Sequence, residues 1–179
     1  MKVSKEQVAK HREQILDAAA RLFRQRGFDG VTVAEIMKAA GLTHGAFYGY
    51  FPSKEALIAD AAARALAPAP TSAPLAKYAD SYLSTRHRDN RETGCVFASL
   101  GTEAARGSDE LRHNVTESLR RQIDRFAAEA KGRTASDRRQ AAIAAWASMV
   151  GAVMLARLAD DEALSQEILS ATRASLPLP

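Results

Sequence analysis

The chain has 179 residues, of which 46% are hydrophobic, with a net charge of +4 and one cysteine. That content is enough for a sizeable core in one domain with an appendage, or in two small domains. It excludes an intrachain disulfide and a cysteine-pair zinc site, and the histidines at 11, 44, 87 and 113 lack ligand spacing, so no metal is expected. No run approaches the roughly eighteen apolar residues of a membrane span. The charged start MKVSKEQVAKHREQ lacks the apolar segment of a signal peptide. A cytoplasmic protein without a membrane partner is therefore expected. No phosphate loop, nucleophile elbow or paired-carboxylate motif occurs, so neither an enzyme nor a cofactor is expected. The charge is unevenly placed. Residues 1–54 hold nine Lys/Arg and five Asp/Glu, whereas residues 55–179 hold sixteen of each. A basic segment on a neutral body is the electrostatic footprint of a nucleic-acid binder.

The spacing predicts an all-helical chain, with no strand-like alternation. A first helix is expected over 5–25, where Ile15, Ala18, Ala19, Leu22 and Phe23 make one apolar stripe. Gly27 ends it, and Asp29-Gly30 reads as a turn. Thr32 with Glu35 three residues later is a capping-box signature, and Val33, Ile36, Met37 and Ala40 recur at helical spacing. Gly41 stops that helix, and Thr43 is placed to cap a second, short one. Two helices joined by a short glycine-bearing turn make a helix-turn-helix. Its second helix would be the one that enters a DNA groove.

Ser53 caps the next helix, expected to run to about residue 67. The prolines of PAPTSAP over 68–74 read as a linker. Beyond it, helices are predicted over about 75–89 and 95–106, the latter including Glu103, a lone acid on an apolar helix that suits a pocket anchor or a structural acid. A long helix follows, capped by Ser108 and carrying Leu111, Val115, Leu119, Ile123 and Phe126. Ser136 is expected to cap a helix over 137–158, and the last helix starts after the acids 160–162. The stretch AAIAAWASMVGAVMLA is apolar nearly all round, so it needs cover on two sides. Its small residues suit close approach of a second copy, which points to a homodimer through the last two helices.

GLTHGAFYGYFPSKEALIADA resembles the signature of the TetR family of bacterial transcriptional regulators. The resemblance rests on Gly41, Thr43, Phe47-Tyr48, Tyr50-Phe51 and the run from Pro52 to Leu57, and it is specific over about 14–62. It implies an N-terminal DNA-binding domain over 1–52, a connecting helix and linker over 53–74, and a ligand-sensing and dimerisation domain over 75–179. It also implies a dimer on a palindromic double-stranded operator, released by a small ligand. The apolar character of the second domain favours a small hydrophobic or aromatic effector over a sugar or nucleotide.

For DNA contact the residues are Thr32, Val33, Thr43, His44, Gly45, Ala46, Tyr48, Tyr50 and Lys54, with Phe47 and Phe51 turned to the core. Thr43 and His44 can donate to base edges or phosphates, and Gly45 and Ala46 let the backbone approach the groove. Tyr48, Tyr50 and Lys54 suit phosphate oxygens. Gly49 departs from the family pattern, in which a bulky or polar side chain is common there. The ligand pocket would be lined by Tyr78, Tyr82, Phe97, Leu100, Phe126, Trp146, Met149 and Val150. Arg86 and His87 read as solvated. Cys95, with Arg91 and Arg88 near it in sequence, offers an alternative as an oxidant- or electrophile-sensing thiol. A regulator without a ligand is the other alternative.

Overall fold

Ser4 opens the first element by accepting from the amide of Gln7, and α1 then runs over Lys5–Arg26. The structure, a computed structural model, describes residues 4–67 and 73–176. Most of the predicted linker, and Pro177 and Pro179, lie outside the described residues. Among the described residues every element is helical: α2 Val33–Ala39, a 3₁₀ helix His44–Gly49, α3 Lys54–Ala65, α4 Leu75–Tyr82, α5 Thr85–Asp89, α6 Val96–Ala104, α7 Asp109–Glu129, α8 Ala135–Leu158 and α9 Glu162–Ser175.

The capping box at Thr32 and Glu35 forms in full. Its hydrogen bonds from the Thr32 backbone and hydroxyl, with a smaller contribution from Arg26, hold the Glu35 carboxyl down at about 2. At the other end of α2, the amide of Leu42 donates to Met37 O (2.8 Å) and that of Gly41 to Lys38 O (3.0 Å). This is a Schellman turn, and it requires the left-handed φ of 74° that Gly41 adopts. The element after it is a 3₁₀ helix, not an α-helix, and Thr43 makes no side-chain cap. The reason is local: two of its six residues are glycines and its first turn lacks a cap, so the short segment tightens to i→i+3 bonds.

Ile15, Phe23, Ile36, Met37, Phe47, Phe51 and Leu57 close a core in which each is at most 2% exposed. Arg12 pairs with Asp60 at 2.5 Å, and Arg64 pairs with both Glu13 and Asp17, clamping α3 along α1. Val96, Leu100, Ala104 and Leu111 join the same core from α6 and α7. A second core gathers α4, α7, α8 and α9 around Phe126, Trp146, Met149 and Val153.

Several predicted boundaries shift. The helix expected over 75–89 is two elements, because Ser84 caps a fresh turn by accepting from the His87 amide. Thr134, not Ser136, caps α8, with Asp137 completing a capping box. In α8, Trp146, Met149 and Val153 are buried, while Ile143 and Leu155 on the opposite side are 45% and 56% exposed. Leu158 and Leu164 continue this exposed face into α9. The same helix corrects the expectation about membrane spans. By length and composition Ala135–Leu158 is apolar enough to cross one, with a mean hydropathy of 1.7 over eighteen residues. Alanine on both faces raises that average without a continuous lipid-like surface, and Arg138, Arg139 and Arg157 sit at its ends.

Buried polar groups lock the middle of the chain. Arg157 donates to Arg88 O, Ser99 Oγ and His87 O at 2.9–3.2 Å. Arg88, expected beside Cys95, instead reaches Asp89, Glu162 and Ser165, tying α5 to α9. His87 is not solvated. Its Nδ1 lies 2.6 Å from Tyr82 O, and its Nε2 accepts from the Cys95 amide at 3.1 Å. A carbonyl only accepts and an amide N–H only donates, so the ring is the neutral Nδ1–H tautomer.

Two outcomes follow. A Cβ at Gly49 meets nothing within 4 Å, and its φ is not positive. Gly49→Ala is expected to stabilise the protein by up to about 1 kcal/mol, read as a higher urea midpoint; a lower midpoint would sink this account of the short helix. Burial, the largest cause, holds the His87 pKa below 6.5. The unfolded ring therefore takes up its proton first as pH falls. Stability is full above about pH 6.5 and declines as pH drops towards the folded value. Melting temperatures measured between about pH 7.5 and 5.5 should fall more steeply for the native protein than for His87→Gln.

Candidate nucleic-acid interface and effector pocket

Burial of Phe47 and Phe51, 1% and 2% exposed and stacked with ring centroids 6.0 Å apart, fixes which side of the 3₁₀ helix is free. Thr43, His44, Gly45, Tyr48 and Gly49 are exposed, Tyr48 at 73%. The hydroxyl of Thr43, released from capping, is available. Lys54 stands at the first position of α3 and makes no ion pair among the described residues. Ala46 is half-buried against the core, with its methyl at the edge of the exposed face.

Tyr50 is half-buried, and its hydroxyl meets His11 Nδ1 at 2.8 Å, a link across to α1 that sequence reading missed. On the other side of that ring, Gln7 Nε2 lies 2.7 Å from Nε2. An amide nitrogen only donates, so His11 carries its proton on Nδ1 and gives it to Tyr50 Oη. The Tyr50 proton stays free to be donated outward. Two expected positions fare worse. The Thr32 hydroxyl donates to Glu35 Oε2 (2.7 Å) and accepts from the Glu35 amide (3.3 Å). A phosphate oxygen only accepts, so this hydroxyl has no proton left for it. Val33 is half-buried, with part of its side chain packed against the core.

A cavity of about 570 Å³ opens between the end of α3, α4, the loop before α6, α7 and α8. Of the eight side chains expected to line it, Tyr78, Tyr82, Phe97 and Trp146 do so. Leu100 faces α1 in the first core. Phe126 and Met149, both fully buried, lie behind the aromatic wall, with the Phe126 ring 5.5 Å from that of Trp146. Val150 packs in the second core outside the cavity. Periodicity marks all of these as inward, but it cannot tell a wall from the packing behind it.

The cavity also has polar members that sequence reading passed over, Ser118, Arg121, Gln122 and Arg125 of α7, and one that it read as solvated, His87. The signal was present, since Arg121, Gln122 and Arg125 flank the Leu119–Ile123–Phe126 stripe at helical spacing. Burial pushes the Tyr78 hydroxyl up to about 12 and the Tyr82 hydroxyl higher still. Cys95 lines the same wall. Burial, the largest cause, raises its pKa despite hydrogen bonds that oppose the shift, so the thiol form is favoured and the reactive thiolate is not.

The loop before α6 also touches α1. Arg24 Nε donates to Glu92 O (2.6 Å) and Gln25 Nε2 to Glu92 Oε1 (2.5 Å). Glu103 is no pocket anchor: its Oε1 accepts from the Phe28 amide (3.2 Å) directly above Gly27. A Cβ at Gly27 would lie 2.6 Å from that oxygen. Thr93, Gly94 and Cys95 line the cavity, so one loop joins the pocket wall to the last turn of α1.

This architecture recurs in known proteins. The crystal structure of a TetR-family transcriptional regulator from Agrobacterium tumefaciens superposes with a TM-score of 0.74 over 95% of this chain and 99% of that one, at 20% identity. The reduced form of E. coli NemR gives 0.72 over 93% and 94%, at 23% identity. In sequence, the transcriptional regulator AcrR of Shigella flexneri is 42% identical over 57 residues, 32% of this chain and 26% of that protein. Matched stretches cover 15–30% of the lengths of such relatives. Residues 15–65 match the bacterial regulatory proteins of the tetR family, and residues 72–172 match the tetracyclin repressor-like C-terminal domain. With both halves matched, the chain belongs to the TetR family of bacterial regulatory proteins.

Proposed function

We propose that the chain is a homodimeric transcriptional regulator, a cytoplasmic repressor that binds a palindromic operator and is released from it by a small-molecule effector. The observation that carries this reading is the split of the 3₁₀ helix. Phe47 and Phe51 are buried, leaving a solvent-facing strip of small and hydroxylated residues that ends at Lys54. Thr43, His44, Tyr48, Tyr50 and Lys54 supply donors to DNA, and Gly45 and Ala46 bring the backbone close to the groove. Helix-turn-helix dimers read two half-sites about one helical turn apart. The exposed face of Ile143, Leu155, Leu158 and Leu164 on α8 and α9 supports a second copy as partner. An apolar strip of that kind, rimmed by small residues, is what four-helix pairing buries. Effector binding in the cavity would act through the loop holding Glu92 on the end of α1.

Selection of bound DNA from a random pool, followed by titration on the selected site, tests the reading. Lys54→Ala should weaken binding to every sequence alike and reduce the slope of log affinity against log salt by about 1. Tyr48→Phe should weaken it with the slope unchanged, because the lost donor is neutral. Absence of any selected sequence, or an unaltered salt slope in Lys54→Ala, would count against this surface. The dimer has its own measurement. Leu155→Glu with Leu158→Glu should sediment as a folded monomer where the native protein sediments as a dimer.

A further inference from the structure

The cavity wall carries donors without acceptors and cations without acids. Trp146 Nε1, Gln122 Nε2 and Tyr82 Oη are buried and unpaired among the described residues. Tyr82 Oη has the Cys95 thiol as a polar neighbour and Gln122 has the Tyr78 hydroxyl, whereas the Trp146 indole N–H has no hydrogen-bond partner among the described residues. Indole and amide nitrogens can only donate. Trp146 and Tyr82 are each 5% exposed. Buried polar groups left unpaired are costly, and all three belong to this one wall.

Charge points the same way. No Asp or Glu lines the cavity, while Arg121 and Arg125 do. The other two arginines of α7 have carboxylate partners, Arg112 with Asp109 and Arg120 with Glu117. Among the described residues, the half-buried Arg125 and the exposed Arg121 hydrogen-bond only to backbone carbonyls, of Ala73 and Leu66, each at 3.4 Å. Arg125 also lies over the Tyr78 ring, 4.6 Å from its centroid. His87 adds no charge, since both ring nitrogens are engaged in the neutral form.

We infer that the cavity takes a small aromatic organic anion, its ring against Tyr78, Phe97 and Trp146 and its carboxylate or similar oxyanion towards Arg121 and Arg125. This rests on the reading of the cavity as an effector site and replaces the expectation of a purely hydrophobic ligand. A neutral hydrocarbon would leave Arg121 and Arg125 facing the cavity without an anionic partner. A cation would meet two arginines and no acid.

Three probes on one ring system separate the possibilities: biphenyl-4-carboxylate, biphenyl-4-methanol and biphenyl-4-methylammonium. Each is titrated into the full chain by calorimetry, with quenching of Trp146, the single tryptophan, as a second readout. The carboxylate should bind roughly tenfold or more tightly than the alcohol, the worth of one charge-assisted hydrogen bond, and the ammonium weakest. Replacing Arg121 and Arg125 together by Gln should remove the preference, bringing the carboxylate to the affinity of the alcohol in the same variant, and a retained cooperative melting transition shows that the protein still folds. If alcohol or ammonium binds as well as the acid, the anion inference falls and the effector site stands. If none of the three binds, the effector site falls, and this inference with it.

Discussion

The contact between Glu103 and the end of α1 governs how the two halves of the chain can move. α1 stops at Gly27 with a φ of 79°, and the next amide, that of Phe28, would be an orphan donor without Glu103. An orphaned helix-end donor is costly when shielded from water, so α6 and the start of the α1–α2 turn stay together. The missing Cβ of Gly27 makes room for the carboxylate. Arg24, its pKa lowered chiefly by burial, and Gln25 fasten the same turn to Glu92. The reading head therefore has a second anchor besides its own core, and that anchor borders the cavity. A shift of the 92–95 loop has a continuous chain of bonds to follow into α1 and on to Phe28 and Val31, both buried against α2. Such packed, bonded chains are the physical means by which coupling travels.

α8 shows why a composition average misleads about environment. Its apolar residues serve two different surfaces, one turned to the second core and one to solvent in the single chain. Hydropathy sums both and returns a value typical of a membrane span. What distinguishes it is the pattern. The solvent-facing side alternates bulky Ile143 and Leu155 with small Ala144, Ala147, Ser148 and Gly151, the last with open space where its Cβ would be. That relief suits a second helix better than lipid.

The helix-turn-helix was readable because its signals are local. The Thr32–Glu35 box, the Gly41 turn and the Ser53 cap each act within five residues, and each forms as read. The all-helical class followed from periodicity. The 3₁₀ character of the reading helix was harder to see. It depends on a cap that Thr43 fails to make, and a threonine before a helix looks the same whether or not its hydroxyl turns inward. The site residues divided on the same principle. Tyr78, Tyr82, Phe97 and Trp146 were found because aromatic stripes are visible, but Leu100, Phe126, Met149 and Val150 lie on such stripes too. Only the packing separates a wall from its backing. The links from His11 to Tyr50, from Arg24 to Glu92 and from Glu103 to Phe28 span 39, 68 and 75 residues, and no periodicity carries information over that range.

A constraint on DNA reading follows from what the free face of the 3₁₀ helix lacks. Between His44 and Tyr50 there is no arginine, lysine, asparagine or glutamine, the residues that make bidentate contacts to guanine or adenine edges. One imidazole and a few hydroxyls can discriminate bases only weakly. The contacts proposed for the hydroxyls and Lys54 with phosphates, and for the small residues against the groove, would report backbone position and groove shape instead. In the proposed dimer, discrimination then depends on the distance and angle between two reading heads more than on either head alone. That places control where the bonds run. An effector need not disturb the 3₁₀ helix at all. On the proposed mechanism it would need only to move the Glu92 loop and the end of α1, changing the separation of two heads that are each too permissive to hold a single site.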